Sequence, residues 1–325
     1  MYKVDYLDLV TLRSCQMACE GCCTFSDHRE INGLVEPAEY EEQLKFWGQH
    51  IMPGRLHLFG GEPTMHPRLM DWFRMAIKYW PRCEDGDPTP VWLNTNGYYL
   101  DRLFPHVEEL FTQANQMFVS ITHHTLAEPY NSLVQKNYET LCDLILEASH
   151  RANPGRLYHW KSNTPWDSQH KKFVHLTDDR GFSSVLLNVC RQHDDFFVPH
   201  YRGHGATLQP WYDYQHDQGL HMNHNVCHIK NYVQIYQGRL YKCPPRAVLN
   251  QTLETYGLEN DAQWKSYYND YESLGIDADP AQIDAWFTRQ RSAENTCNMC
   301  GFMHSHEHLP VQEHLPKKLF KIKSA

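Results

Sequence analysis

Between residues 6 and 150, short apolar runs alternate with longer amphipathic ones, and no other feature restricts the fold as tightly. Residues 6–12, RLHLFGGEP (55–63), VWLNTNG (91–97) and MFVSITHH (117–124) have the length and residue types of strands. Residues 37–51 begin on Pro37 with acidic residues in the first turn, and they align Tyr40, Leu44 and Trp47 on one helical face. A second amphipathic stretch, 69–80, is stopped by Pro81; a third spans 100–114, and a fourth, 133–150, gathers Leu141, Leu144 and Ile145. This alternation predicts an α/β fold with a parallel sheet and helices outside it. Such sheets carry their chemistry on loops at the C-terminal ends of the strands.

The polar motifs of the first half fall at those ends. RSCQMACEGCC (13–23) follows the first strand and spaces Cys15, Cys19 and Cys22 as C-x3-C-x2-C. Gly60, Gly61 and Glu62 follow the second strand, Asn94 to Gly97 the third, and Ser120 to His124 the fourth. Eleven cysteines in 325 residues is an odd number, so complete internal pairing is impossible. The N-terminus has no basic segment followed by an apolar run, and no stretch approaches 18 apolar residues, which predicts a cytoplasmic protein without a membrane span. In that compartment cysteines hold metals or do chemistry. Three thiolates on a short loop can hold three irons of a [4Fe–4S] cube and leave the fourth iron open. A zinc ion would want a fourth ligand, for which Cys23 and His28 are the neighbours at hand.

At this point the chain resembles a family. CQMACEGC, the GGEP after the second strand and the TNG after the third look like a radical S-adenosyl-L-methionine (AdoMet) enzyme, over roughly residues 4 to 200. Gly21 departs from the bulkier residue usual before the last cysteine of that loop. The resemblance implies a partial (β/α)6 TIM-like barrel over 1–205. It also implies a [4Fe–4S] cluster on Cys15, Cys19 and Cys22 that binds AdoMet, with a low-potential electron donor such as flavodoxin or ferredoxin. Gly60 and Gly61 would let backbone approach the cofactor, Glu62 would accept from its ammonium, and Asn94, Ser120 and Thr122 would add contacts from the third and fourth strands.

The second half has its own pattern. Cys227 and Cys243 bracket VQIYQGRLY, which reads as a hairpin about a Gln-Gly turn, and CNMC supplies Cys297 and Cys300. A four-cysteine zinc site suits this spacing as well as an iron–sulfur cluster does. Attached to such a barrel, the four cysteines resemble the Twitch/SPASM-like extension, a small α+β domain over 206–325 with an auxiliary [4Fe–4S] cluster. Cys142 and Cys190 read as core, HSHEH (304–308) has metal-binding composition, and PKKLFKIKSA is a basic tail on an acidic chain.

Hydrophobic content of 41% with 21% charged residues describes a globular enzyme, and a formal charge of −9 argues against a broad nucleic-acid surface. The expected function is reductive AdoMet cleavage and hydrogen abstraction from a polar substrate: a small molecule, or an aminoacyl- or nucleobase-linked group. The outcome would be isomerisation, dehydrogenation or bond formation. A peptide-modifying maturase is the alternative enzyme; its leader-binding module is not expected, because the first strand begins near residue 6. A zinc-stapled scaffold is the alternative of another class.

Overall fold

A computed structural model describes residues 1–19, 22–28, 31, 33–111, 117–124, 127–162, 172–178, 183–191, 200–211, 224, 227, 229–268 and 273–300. Gly21, the 304–308 histidines and the basic tail lie outside them. Four strand–helix units come first: β1 (Tyr2–Leu12) and α1 (Glu41–His50), β2 (Ile51–Gly60) and α2 (Leu69–Tyr79), β3 (Val91–Thr95) and α3 (Val107–Phe111), β4 (Met117–His123) and α4 (Tyr130–Ala152). Then follow β5 (Tyr158–Ser162), β6 (Lys172–Asp178), β7 (Ser183–Arg191), the short pair β8 (Tyr201–Arg202) and β9 (Gln209–Pro210), and the hairpin β10 (Tyr232–Tyr236) and β11 (Arg239–Tyr241). Three helices close the described chain: α5 (Pro244–Tyr256), α6 (Lys265–Tyr268) and α7 (Pro280–Gln290). Among the described residues no helix is long and apolar enough to cross a membrane.

Nine strands form one mixed sheet in the order β11-β10-β1-β2-β3-β4-β7-β6-β5. The run β10-β1-β2-β3-β4-β7 is parallel throughout, so the expected α/β architecture with a mostly parallel sheet is present. Strands β11, β6 and β5 extend it with antiparallel pairings. The segment after residue 205 therefore contributes to the same sheet, with Tyr6 opposite Tyr232 and Leu9 opposite Ile235.

Several element boundaries differ from the sequence reading. β2 begins at Ile51 and β1 at Tyr2, because these outer residues pair with one another and gain a ladder that local pattern does not reveal. Residues 100–106 form a 3-10 helix and only Val107–Phe111 is α-helical. Pro105 lies inside that stretch, and its missing N–H and fixed ring disfavour a continuous α-helix there.

Side-chain alternation gives the sheet two unlike faces. Val91, Leu93, Val119 and Ile121 are buried, and Val134 of α4 packs close to Ile121, so this is the helix-covered face. Trp92, Asn94, Phe118, Ser120 and Thr122 point the other way and are half-buried. The C-terminal part is tied on by polar contacts. Trp47 Nε1 donates to Gly238 O (3.0 Å) at the hairpin turn, where Gln237 and Gly238 both take positive φ. Arg13, 1% exposed, donates to Gln251 Oε1 (2.8 Å) and Thr252 Oγ1 (2.7 Å) of α5.

Candidate active site at the strand ends

The cysteine loop and the glycine turn are built against each other. Gly61 N donates to Leu12 O (2.8 Å) and Glu62 N to Ser14 O (2.9 Å), which lays the end of β2 along the start of the loop. A Cβ on Gly60 would stand 2.1 Å from Leu12 O, and one on Gly61 would stand 2.3 Å from Ser14 O. Gly60 also adopts φ of +145°. The two glycines thus have a task the sequence does not announce: they let backbone approach backbone.

Glu62 is 0% exposed and holds the third strand's turn in place. Its Oε1 accepts from Thr64 N (3.0 Å), Thr64 Oγ1 and Thr95 Oγ1 (2.7 Å), and its Oε2 accepts from Asn96 N (2.7 Å). Burial pushes the carboxyl up from its ordinary range, and these donors oppose that shift. Oε2 accepts one of these bonds to Oε1's three and so keeps acceptor capacity. Glu62→Ala is expected to strand the buried donors of Thr64, Thr95 and Asn96, at about 1–3 kcal/mol for each one left unpaired. Thermal unfolding checks this, and a midpoint equal to that of the unsubstituted protein would remove the organising role.

Asn96, not singled out from sequence, links this turn to the cysteines. Its Oδ1 accepts from Gln16 Nε2 (2.8 Å) and Tyr98 N (3.0 Å), its Nδ2 lies 3.7 Å from Cys15 Sγ, and its carbonyl accepts from Tyr130 OH (2.6 Å). The TNG triplet was the available signal: Gly97 takes φ of +81° and turns the chain so that residue 96 faces the loop. Asn94, Ser120 and Thr122 lie deeper, on the half-buried face, with Asn94 opposite Ser120.

Each loop cysteine has a polar neighbour. Met17 N donates to Cys15 Sγ (3.3 Å), Cys19 Sγ lies 3.5 Å from His124 Nδ1, and Cys22 Sγ lies 3.3 Å from Thr24 Oγ1. Cys23 is set apart: burial raises its thiol pKa well above the ordinary value, as do the charges of Cys22, Asp8 and Cys243.

Cys227, Cys243, Cys297 and Cys300 come together from the hairpin flanks and the turn 295–299. Burial raises all four thiols, Cys243 to about 12, and Cys243 and Cys300 are raised further by the neighbouring thiolates. A multivalent cation would reverse this penalty, since it favours the deprotonated sulfurs. His200 Nδ1 lies 3.1 Å from Cys300 Sγ, a contact between residues 100 positions apart that no local motif suggests.

Among the described residues, the one group of three donors whose ligand atoms all lie within 4.8 Å is Asp27, His28 and His204. Its histidine rings are stacked, 4.4 Å apart and 8° from parallel, so one ion cannot lie in both ring planes without a rotation.

No curated protein matches the sequence. Among solved structures, one described as BtrN in complex with AdoMet and 2-DOIA aligns over 95% of this chain and 96% of that chain, at 12% identity and a TM-score of 0.47. Residues 9–154, which hold the cysteine loop, the Gly60-Gly61-Glu62 turn and Asn96, match the model of the Radical SAM superfamily.

Proposed function

We propose that the protein is a radical AdoMet enzyme acting on a polar substrate. The observation that carries this reading is the packing of the C-x3-C-x2-C loop directly onto the Gly60-Gly61-Glu62 turn at the end of a parallel sheet, in the segment that matches the superfamily.

The donor set suits a cube better than a single ion. No three of the described cysteine sulfurs lie mutually within 4.8 Å, whereas a tetrahedral zinc with bonds of about 2.3 Å would draw sulfurs to about 3.8 Å of one another. This spread argues against the zinc-stapled scaffold. Cys15, Cys19 and Cys22 would hold the first [4Fe–4S] cluster. Gly60, Gly61, Glu62, Asn94, Ser120 and Thr122 would meet AdoMet, with Glu62 Oε2 receiving the ammonium. Cys227, Cys243, Cys297 and Cys300 would saturate an auxiliary cluster in a C-terminal unit over 206–325, appended to a barrel over 1–205. When bound, cluster and AdoMet supply one-electron cleavage of the sulfonium and a carbon radical able to take hydrogen from substrate.

The chain's own part is positioning and electrostatics. Glu62 fixes the Asn96 turn beside Cys15, and the glycines press β2 onto the loop that carries all three thiolates. Met17 N, which donates to Cys15 Sγ, would stabilise charge on that sulfur, one of the ways a protein sets the potential of such a centre. The substrate class is polar, from a small molecule to an aminoacyl-, nucleobase-linked or peptide group, and the electron donor is a low-potential protein such as flavodoxin or ferredoxin.

Anaerobically reconstituted protein is expected to hold roughly eight irons per chain, from two cubes. Cys297→Ala should lower this to about four and spare AdoMet cleavage at the first cluster. Metal analysis showing stoichiometric zinc and negligible iron would overturn both assignments.

A further inference from the structure

Residues 200–211 fold into a small closed buckle that touches both groups of cysteines. β8 and β9 pair Tyr201 with Pro210 and Arg202 with Gln209. Gly203 closes the turn at φ of +74°, where a Cβ would stand 2.3 Å from Thr207 O. Thr207 N and Oγ1 both donate to His204 O, at 3.1 and 2.9 Å. Adjacent residues of the buckle face different partners. The Tyr201 ring stacks on Phe25 at 4.2 Å, and its hydroxyl donates to Asp27 Oδ1 (2.5 Å), both just past the first cysteine loop. His200, 6% exposed, reaches the CNMC turn instead, where its Nδ1 lies 3.1 Å from Cys300 Sγ.

The backbone holds this last contact in place. Trp211 N donates to both His200 O and Met299 O, at 3.2 Å each. One amide thus ties the residue before Cys300 to the residue that touches its sulfur. Trp264 Nε1 donates to Leu208 O (2.9 Å) and anchors the far side of the buckle. The Nδ1 to Sγ separation is shorter than the 3.3 Å from Met17 N to Cys15 Sγ, as a charge-assisted bond would be.

The four sulfurs of this group have unlike surroundings. Cys227 faces the N–H of Ile229 and the charges of Lys242 and Lys230; Cys243 faces the N–H of Arg246 and Lys242; Cys297 faces the N–H of Glu294 and Lys242. Lys242, 4% exposed, is fixed among them by donating to Gln290 O (2.9 Å) and Ser292 O (2.5 Å). Cys300 is surrounded by the negative charge of Cys243, Cys297 and Cys227. A metal-bound thiolate has no hydrogen and acts only as an acceptor, so the hydrogen of the His200 contact belongs on Nδ1.

We propose that His200 donates its Nδ1–H to the Cys300 thiolate and is a positioning residue that sets the reduction potential of the auxiliary centre. This rests on the reading of Cys227, Cys243, Cys297 and Cys300 as ligands of an iron–sulfur cluster. A hydrogen bond to a cluster sulfur stabilises the reduced, more negative state, so its loss lowers the potential.

The test is a redox titration of anaerobically reconstituted protein followed by electron paramagnetic resonance, with AdoMet added to mark the signal of the first cluster. His200→Leu removes the donor and should disfavour reduction of the auxiliary centre about tenfold, or ~59 mV for one electron, with the first cluster unmoved. His200→Asn keeps an amide N–H near the position of Nδ1 and should restore most of the shift. Histidine labelled with heavy nitrogen, in the unsubstituted protein, should show a weak nitrogen coupling on the reduced auxiliary centre. An unchanged potential in His200→Leu overturns the proposal. So does the absence of nitrogen coupling, which covers the case in which His200→Leu does not fold, and so does the strong coupling of direct ligation. About four irons in place of roughly eight, with zinc or no metal on the four cysteines, overturns the proposal together with the cluster reading. A full iron count with an unmoved potential sinks only the role of His200.

Discussion

Cys19→Ala is expected to abolish formation of 5′-deoxyadenosine under reducing conditions. Cys19 supplies one of the three thiolates proposed to hold the first cluster, and its Sγ lies 3.5 Å from His124 Nδ1. Two remaining thiolates cannot hold three irons, so the open-iron cube should not assemble, and iron should fall from roughly eight to about four per chain. Cys142→Ala is the matched comparison: it removes a buried thiol from α4, far along the chain from every proposed ligand, and should leave both readouts unchanged. A Cys19→Ala protein that still forms 5′-deoxyadenosine at the normal rate would remove the mechanism.

Gly60→Ala should be the most damaging single methyl in the strand-end site. Its Cβ would stand 2.1 Å from Leu12 O, and φ of +145° is a conformation that alanine rarely adopts. Backbone overpacking costs about 1–3 kcal/mol and the strained conformation about as much again. Gly61→Ala meets Ser14 O at 2.3 Å and Arg13 O at 2.6 Å without a positive φ, so it isolates the clash. Gly86→Ala, at φ of +81° with nothing within 4 Å, isolates the strain. Thermal midpoints should fall in the order Gly86→Ala least and Gly60→Ala most, and the two rim variants should also lose iron. If Gly61→Ala matched Gly86→Ala in stability and kept full iron, the close approach of β2 to the cysteine loop would not be needed to shape the site.

Much of this was legible in the amino-acid order because it depends on neighbours. Strand alternation and helical periodicity are properties of a few consecutive residues, so the first four strands and their helices could be read directly, apart from the 100–114 stretch that Pro105 breaks. The cysteine spacing, the GGEP and the TNG were also visible, as was their place at strand ends. The VQIYQGRLY hairpin could be read as well, because its Gln-Gly turn is local.

Other features required the tertiary structure. Nothing near residue 232 says that β10 will lie parallel to β1, more than 220 positions away. That neighbour is chosen by the joint burial of Leu7, Leu9, Val233 and Ile235 and by the pairing of Asp8 with Gln234. Asn94 and Asn96 share a strand parity, and only the point where β3 stops, at Thr95, sets Asn94 in the ladder and Asn96 against Cys15. The glycines read from sequence as room for a cofactor, yet in the fold they first make room for Leu12 and Ser14. Local hydrogen bonding and side-chain period are encoded over a few residues, so the sequence by itself determined the elements and where chemistry would cluster. Register, depth and long-range partners come from packing summed over the whole sheet, and that sum exists only once the chain has folded.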